Sequence, residues 1–169
     1  MAARTHDPVA VLGIGTMGHG MATSALRAGI PTIVWNREAA ATRDLADLGA
    51  EVAGTAADAA GRAAIIVTMV TDADAVVSIA HDQGMLRALT PGAIWVQMST
   101  IGIAGIERVA ALAEGERPDI TLLDAPVSGS KEPAAQGANQ ARAERCNARE
   151  PCASRQGTGF RVSGEYESE

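Results

Sequence analysis

An open α/β fold, doubly wound around a mainly parallel sheet, is what this chain predicts, and three observations carry the prediction. Residues 9–22, VAVLGIGTMGHGMA, read as a strand, a tight glycine turn and a helix in immediate succession. Short apolar runs then alternate with alanine-rich helical segments, the rhythm of a parallel sheet built from crossover units. One of those runs, AIIVTMV at residues 64–70, is apolar throughout, as suits a central parallel strand buried on both faces. Together these features define the Rossmann type of sheet.

The first unit opens with the apolar strand Val9–Leu12, after which Met17, Met21, Ala22, Ala25 and Leu26 recur at helical spacing. Gly13 permits the turn. Gly15 leaves the backbone without a Cβ where a pyrophosphate would approach, and Gly18 lets the helix pack closely on its strand. The helix N-terminus offers unpaired N–H groups and a partial positive charge to phosphates. The glycine spacing alone is a weak signal, because glycine is abundant here. The flanking strand and helix make it a signature for dinucleotide binding.

Gly29 stands where a helix-ending glycine is expected, and Thr32–Trp35 reads as the second strand, ending in Asn36 and Arg37. A carboxylate at this point usually accepts hydrogen bonds from the ribose 2′-hydroxyl of NAD. None stands at the strand end, and Arg37 offers a planar fork for a 2′-phosphate instead, which favours NADP(H) over NAD(H). The alternatives are an arginine in a solvated loop and a choice left open by the neighbouring Glu38.

Residues 39–48 predict a second helix closed by Gly49, followed by a short strand at 51–53 and a small helix after Thr55. The central strand at 64–70 delivers Thr71, Asp72 and Asp74 to its carboxyl end, where ligands sit in open α/β sheets. Met69, Val70 and Asp74 therefore lie where adenosine or ribose would pass. Asp72 also suits the N-cap of a helix over residues 73–80. Pro91-Gly92 is a turn, Ile94–Gln97 a strand, and residues 103–113 a helix with Ile103, Ile106, Val109 and Ala110 toward the sheet. Between them, Ser99 or Thr100 either caps that helix or faces the crevice. Residues 121–123 form a last short strand that delivers the loop DAPVSGS, in which Ser128, Gly129 and Ser130 suit a small carboxylate or form a plain Ser/Gly turn.

Composition narrows the function. The 169 residues suit one domain with a core of Val, Ile, Leu and Met, and alanine allows close helix approach. A formal net charge of −6 argues against nucleic acid or an anionic membrane as a partner. No apolar run is long enough to span a membrane and residues 1–8 lack a signal-peptide core, so a soluble, cytoplasmic protein is expected. Cys146 and Cys152 support neither a disulfide nor a metal site. His6, His19 and His81 are scattered and read as surface or local-packing residues, with His19 nearest the phosphate site.

With these pieces in order, the chain resembles the β-hydroxyacid dehydrogenase family, which includes 3-hydroxyisobutyrate dehydrogenases, glyoxylate and succinic semialdehyde reductases and, more distantly, 6-phosphogluconate dehydrogenases. GIGTMGHGMA at 13–22, WNR at 35–37, TMVTDADAV at 68–76, QMSTIG at 97–102 and DAPVSGS at 124–130 carry the resemblance. It implies reversible hydride transfer between a nicotinamide and a small hydroxy acid or aldehyde acid. Gly13, Ile14, Gly15, Thr16, Met17 and Gly18 would hold the pyrophosphate, Asn36 and Arg37 the adenosine ribose, and Met69, Val70 and Asp74 its outer contacts. Thr100 would lie by the nicotinamide, and Ser128, Gly129 and Ser130 would receive the substrate carboxylate. Family members are homo-oligomers whose helical second domain covers the sheet, builds the dimer and closes the cleft.

The resemblance also implies a catalytic lysine on the long helix after this domain. The chain's single lysine, Lys131, sits inside the substrate-loop motif and does not match it. Arg161 has no interdomain helix around it and holds its proton too tightly to replace a lysine. Beyond residue 137 there is no Leu, Ile or Met, and no convincing strand or amphipathic helix. Residues 1–137 are thus expected to form the dinucleotide-binding domain and 138–169 a divergent, disordered tail. A frameshift near 137–139 that removes the helical domain accounts for this, with a native disordered tail as the rival. Three classes follow: an NADP(H)-dependent oxidoreductase, a dinucleotide-binding module without turnover, and a truncated fragment.

Overall fold

The computed structural model describes residues 7–128, 140–146 and 160–161. Six parallel strands, β1 (Val9–Leu12), β2 (Thr32–Trp35), β3 (Glu51–Val52), β4 (Ile65–Thr68), β5 (Ile94–Gln97) and β6 (Thr121–Asp124), line up in the order β3-β2-β1-β4-β5-β6. This is the Rossmann order, with its reversal between β1 and β4. Val9 to Leu12 register against Thr32 to Trp35 on one side and Ile65 to Thr68 on the other, so the three carboxyl ends finish level. The predicted fold class is what the chain adopts.

Helices α1 (Thr16–Arg27), α2 (Arg43–Asp47), α3 (Ala56–Gly61), α4 (Ala73–Val77), α5 (Met85–Ala88) and α6 (Gly102–Glu116) provide the crossovers. Gly29, at φ +73°, ends α1 as expected, its N–H donating to the Leu26 carbonyl at 2.9 Å. Thr55 and Asp72 cap α3 and α4 by accepting from the amides of Asp58 and Ala75. Two predicted helices come in pieces. Residues 39–42 form a 3₁₀ turn before α2, and α4 runs into a π turn at Ser78–Asp82. Alanine-rich sequence allows either geometry, and periodicity does not distinguish them.

The core differs from its expected composition in holding both tryptophans, Trp35 and Trp95. Trp95 is fully buried at its centre, its indole N–H donating to Thr68 Oγ1 at 3.0 Å. An aromatic this large is accommodated because its polar edge has a partner. Alanines of α3, with Met85 and Leu86 of α5, pack into the same cluster. The face of α6 also needs correction. Gly105, Ile106, Val109, Ala110 and Ala113 are buried, whereas Ile103 is 60% exposed, at the stripe's margin in the first turn.

Beyond residue 138 the expectation of no strand is overturned. Strand β8 (Gln140–Cys146) lies antiparallel to β6 and, in the same register, to β7 (Val127–Ser128); β9 (Phe160–Arg161) pairs with β8 in turn. Strands β6 and β7 are one line broken at Pro126, which has no N–H for the ladder. Sequence misses β8 because its sheet position comes from a neighbour's open edge rather than from its own apolar pattern. The rest of the expected disordered tail lies outside the described residues. Cys146 is buried in the core and disulfide-bonded, where the sequence supported no disulfide. Two cysteines of unremarkable spacing carry no such signal.

Candidate functional site

A cleft of about 440 Å³ opens at the carboxyl ends of β1, β2 and β4. Its floor is the turn from β1 into α1. Gly13, at φ +97°, takes a backbone conformation that side chains rarely adopt, and a Cβ there would meet the Met69 carbonyl and lie 2.6 Å from Val70 Cγ1. A Cβ on Gly18 would collide with the Gly13 carbonyl oxygen, so this glycine allows α1 to sit against the turn. Gly15 is the contrast: nothing lies within 4 Å of an added Cβ. The first two glycine positions are demanded by the fold, and the third leaves room for something outside it.

Helix α1 starts directly over this room. Its cap residue is Gly15, which makes no side-chain cap bond, and its first turn carries no acidic residue. The amides of Thr16, Met17 and Gly18 are first-turn donors without carbonyls four residues back inside the helix. Those three residues and Gly15 line the cleft. Ile14 does not join them, because its amide donates to Asn36 Oδ1 at 2.9 Å and its side chain is buried.

Asn36 thereby acts as a strut. Its Nδ2 donates to the Glu38 carbonyl at 3.0 Å, which fixes the loop after β2 against the glycine turn. The same loop holds Arg37 and Glu38 at the cleft wall. Arg37 is exposed and takes part in no ion pair among the described residues, so its guanidinium fork is available. On its far side a second cavity, of about 620 Å³, runs past Thr42 to Gly54 and Thr55. Trp35, Asn36, Arg37 and Gln83 border both spaces.

The opposite wall is Met69 and Val70, at the end of β4. The Val70 amide donates to Ser99 Oγ at 2.8 Å. Ser99 is 1% exposed and is itself gripped by Gln97, whose Oε1 accepts from the Ser99 amide at 2.7 Å and whose Nε2 donates to the Ser99 carbonyl at 2.8 Å. Gln97 also reaches Asp124 Oδ1 at 3.5 Å. Ser99 therefore neither caps α6, which begins after Ile101 without a side-chain cap, nor faces the cleft. It braces the wall.

Nine of the twelve residues expected at the dinucleotide line the cleft: Gly13, Gly15, Thr16, Met17, Gly18, Asn36, Arg37, Met69 and Val70. Ile14, Asp74 and Thr100 do not. Asp74 is turned outward and paired with Arg108 of α6 at 2.5 Å, while Thr100 is exposed outside the lining. The backbone of Ser128 ends β7, and Gly129 and Ser130 lie outside the described residues. Asp72 is committed to its cap, and the Ala75 amide, helped by the Thr71 hydroxyl, holds its carboxyl below the ordinary range. His19 pairs with Asp44 of α2 at 2.6 Å and His81 with Glu116 of α6, so both tie helices together; His6 lies outside the described residues.

The sequence reading missed one wall altogether. Ala75, Ser78 and Ile79 of α4 and its π turn, with Gln83 directly after it, line the cleft. All four stand at helical spacing, i, i+3, i+4 and i+8, so the pattern itself places them on one face. No group of three or more His, Cys, Asp or Glu side chains able to hold a metal occurs among the described residues. Nor is any helix among them long and apolar enough to cross a membrane.

Residues 8–142 match the family model described as the NAD binding domain of 6-phosphogluconate dehydrogenase. An uncharacterized oxidoreductase of Bacillus subtilis is 38% identical over 131 residues, 77% of this chain and 45% of its own length. Among solved structures, a Mycobacterium tuberculosis 3-hydroxyisobutyrate dehydrogenase with L-serine aligns at TM-score 0.76 and 29% identity, over 82% of this chain and 46% of that one. A structure of Psf3 in complex with NADP+ and 2-OPP aligns at TM-score 0.74 and 28% identity, over 82% of this chain and 49% of that one. The chain spans less than half the length of the relatives it matches.

Proposed function

The chain belongs to the family of 6-phosphogluconate dehydrogenase NAD-binding domains, and on that footing we propose that its cleft seats NADP(H) for an oxidoreductase acting on a small hydroxy acid or aldehyde acid. One observation carries the reading. At the carboxyl rim of the sheet, the added-Cβ positions of Gly13 and Gly18 are filled by the protein while that of Gly15 is open, under the first turn of a helix that brings no acid of its own. A pyrophosphate fits that space by charge and by shape. When bound, the nicotinamide supplies a hydride donor or acceptor.

The chain's own residues do the rest. The amides of Thr16, Met17 and Gly18 meet phosphate oxygens, and Asn36 keeps the turn rigid by holding the Ile14 amide. Arg37 offers two parallel N–H donors to a ribose 2′-phosphate, and Glu38 beside it is the group that would otherwise favour the free 2′-hydroxyl. Val70, braced by Ser99, limits water on the other wall. The substrate carboxylate is assigned to Ser128, Gly129 and Ser130, with Thr100 by the nicotinamide. These assignments and a homo-oligomeric assembly rest on the family resemblance, and the exclusion of nucleic acid and membrane as partners rests on the net charge of −6.

Binding without turnover is the second reading, favoured by one feature of the chain: its single lysine lies at 131, within the substrate-loop motif. Titrating the purified protein with NADPH and NADH, then assaying reduction of glyoxylate and succinic semialdehyde, separates the readings. Tighter binding of NADPH with turnover supports the enzyme, and binding without turnover selects the module. Absence of binding for both cofactors contradicts the proposal.

A further inference from the structure

The segment that carries Arg37 lies mostly at the surface. From Arg37 to Asp44 only Thr42 is buried, and its hydroxyl bonds within the segment, donating to the Ala39 carbonyl at 2.8 Å. The Ala41 amide likewise donates to the Glu38 carbonyl at 3.0 Å, so residues 38–42 fold back on themselves as one compact turn. The polar groups that tie this turn to the sheet rim stand at its two ends. At the start, Asn36 Oδ1 accepts from the Ile14 amide at 2.9 Å; at the far end, Asp44 Oδ2 meets His19 Nε2 at 2.6 Å. Both anchors are on one body. Ile14 belongs to the glycine turn, and the His19 amide donates to the Gly15 carbonyl at 2.9 Å, closing the first turn of α1 over the phosphate space.

Helix α2 has five residues and a single buried side chain, Leu45, which lies in one apolar cluster with Ile14 and Ala22. One buried contact acts as a pivot: it seats so short a helix but leaves it free to turn, and the His19 bond is the second point that stops the turning. The Asp44 carboxyl also accepts from the Leu45 amide at 3.1 Å, and the His19 hydrogen bond holds it below the usual carboxylate range. An ionised carboxylate only accepts, so Nε2 is the donor. We infer that the His19–Asp44 bond is a positioning latch: with the Asn36–Ile14 bond it clamps residues 36–44 at both ends to the glycine turn and α1, and so sets where Arg37 presents its guanidinium to a 2′-phosphate. This rests on the NADP(H) reading above and gives His19 and Asp44, which line neither of the two cavities, a part in the choice of cofactor.

The ratio of NADPH to NADH affinity reads the latch, because the two cofactors differ only at the ribose 2′ position and a general loss of stability weakens both alike. Calorimetric titration with each cofactor compares the full chain with H19A, D44A, H19Q, the double variant H19A/D44A, and R37A with and without H19A. H19A and D44A are each expected to lower the ratio about two- to fivefold, the yield of one exposed pair, chiefly through weaker NADPH binding. The double variant falls no further than either single one, and H19Q, whose side-chain amide still donates to Asp44, stays near the wild type. In the R37A background H19A changes nothing more. The two side chains are 36% and 66% exposed, so their loss leaves folding intact, which circular dichroism checks. An unchanged ratio in H19A and D44A, beside a wild-type preference for NADPH, overturns the latch and leaves the cofactor reading standing. A further fall on adding H19A to R37A overturns it as well, since His19 would then act without Arg37. No preference in the wild type overturns the NADP(H) reading and the latch's role with it.

Discussion

Gly15 and Gly18 are the same residue type in the same motif, yet they answer to different constraints. Gly15→Ala meets nothing within the fold, so unfolding free energy should change by less than about 0.5 kcal/mol. Its methyl enters the phosphate space instead, and NADPH affinity should fall at least about tenfold. Gly18→Ala drives a methyl into the Gly13 carbonyl and should cost about 1–3 kcal/mol, lowering the denaturation midpoint as well as binding. Urea unfolding and cofactor titration of the two variants check both halves. Arg37→Ala should reduce the NADPH-over-NADH preference about tenfold or more by removing the 2′-phosphate fork, with little change for NADH. Equal losses for both cofactors would show that Arg37 supports the loop and does not discriminate.

At the scale of elements, the strands and their loops are held by polar groups that periodicity does not reveal. Ser99→Ala leaves the Val70 amide without its acceptor and should cost about 1–3 kcal/mol in urea unfolding, because that amide is partly buried at the cleft wall. The end of α6 is fixed in a comparable way. Arg117 donates to the carbonyls of Leu86 and Leu89, both at 2.7 Å, and forms a two-pronged pair with Asp119. That pair pushes the Asp119 carboxyl down to about 2. Once pH falls below the folded pKa, the carboxyl is protonated in both states and the folded state no longer gains from it. The stabilisation is present above about pH 4 and is lost as pH falls through about 2. Asp119→Asn should therefore lower the thermal midpoint at neutral pH and make no difference at the acid end of that window.

The strands β1, β2, β4 and β5 were legible because a buried parallel strand needs an unbroken apolar run, and the glycine turn because its spacing admits few other structures. Asp72 was legible as a cap from its place before a helical pattern. The face formed by Ala75, Ser78, Ile79 and Gln83 has helical spacing too, but its mixed small, polar and apolar residues carry no ligand motif to mark it. Ser99 was misread because a hydroxyl at a strand end serves a cap, a ligand or a neighbouring amide equally well on sequence. Asp74 was assigned to the adenosine end by position, and its pairing with Arg108 depends on how α4 and α6 cross.

Over the whole molecule, the sheet's order brings three loops to one rim although 56 residues separate Gly13 from Met69 in the chain. The glycine turn, the Asn36–Arg37 loop and the Met69–Val70 wall form one cleft only because β1 lies between β2 and β4. Strand β8 extends the same sheet past the last parallel strand, away from that rim's reversal point. The chain spans less than half the length of its relatives, so the cofactor half of the proposal is the part this structure tests by itself.

The most direct measurement is an amide chemical-shift map of the isotope-labelled protein during titration with NADPH. The largest changes are expected at Gly13, Gly15 through Gly18, Arg37 and Val70, saturating together with one affinity. No perturbation at those amides, or changes centred on another face of the sheet, would contradict the claim that the glycine turn seats the dinucleotide.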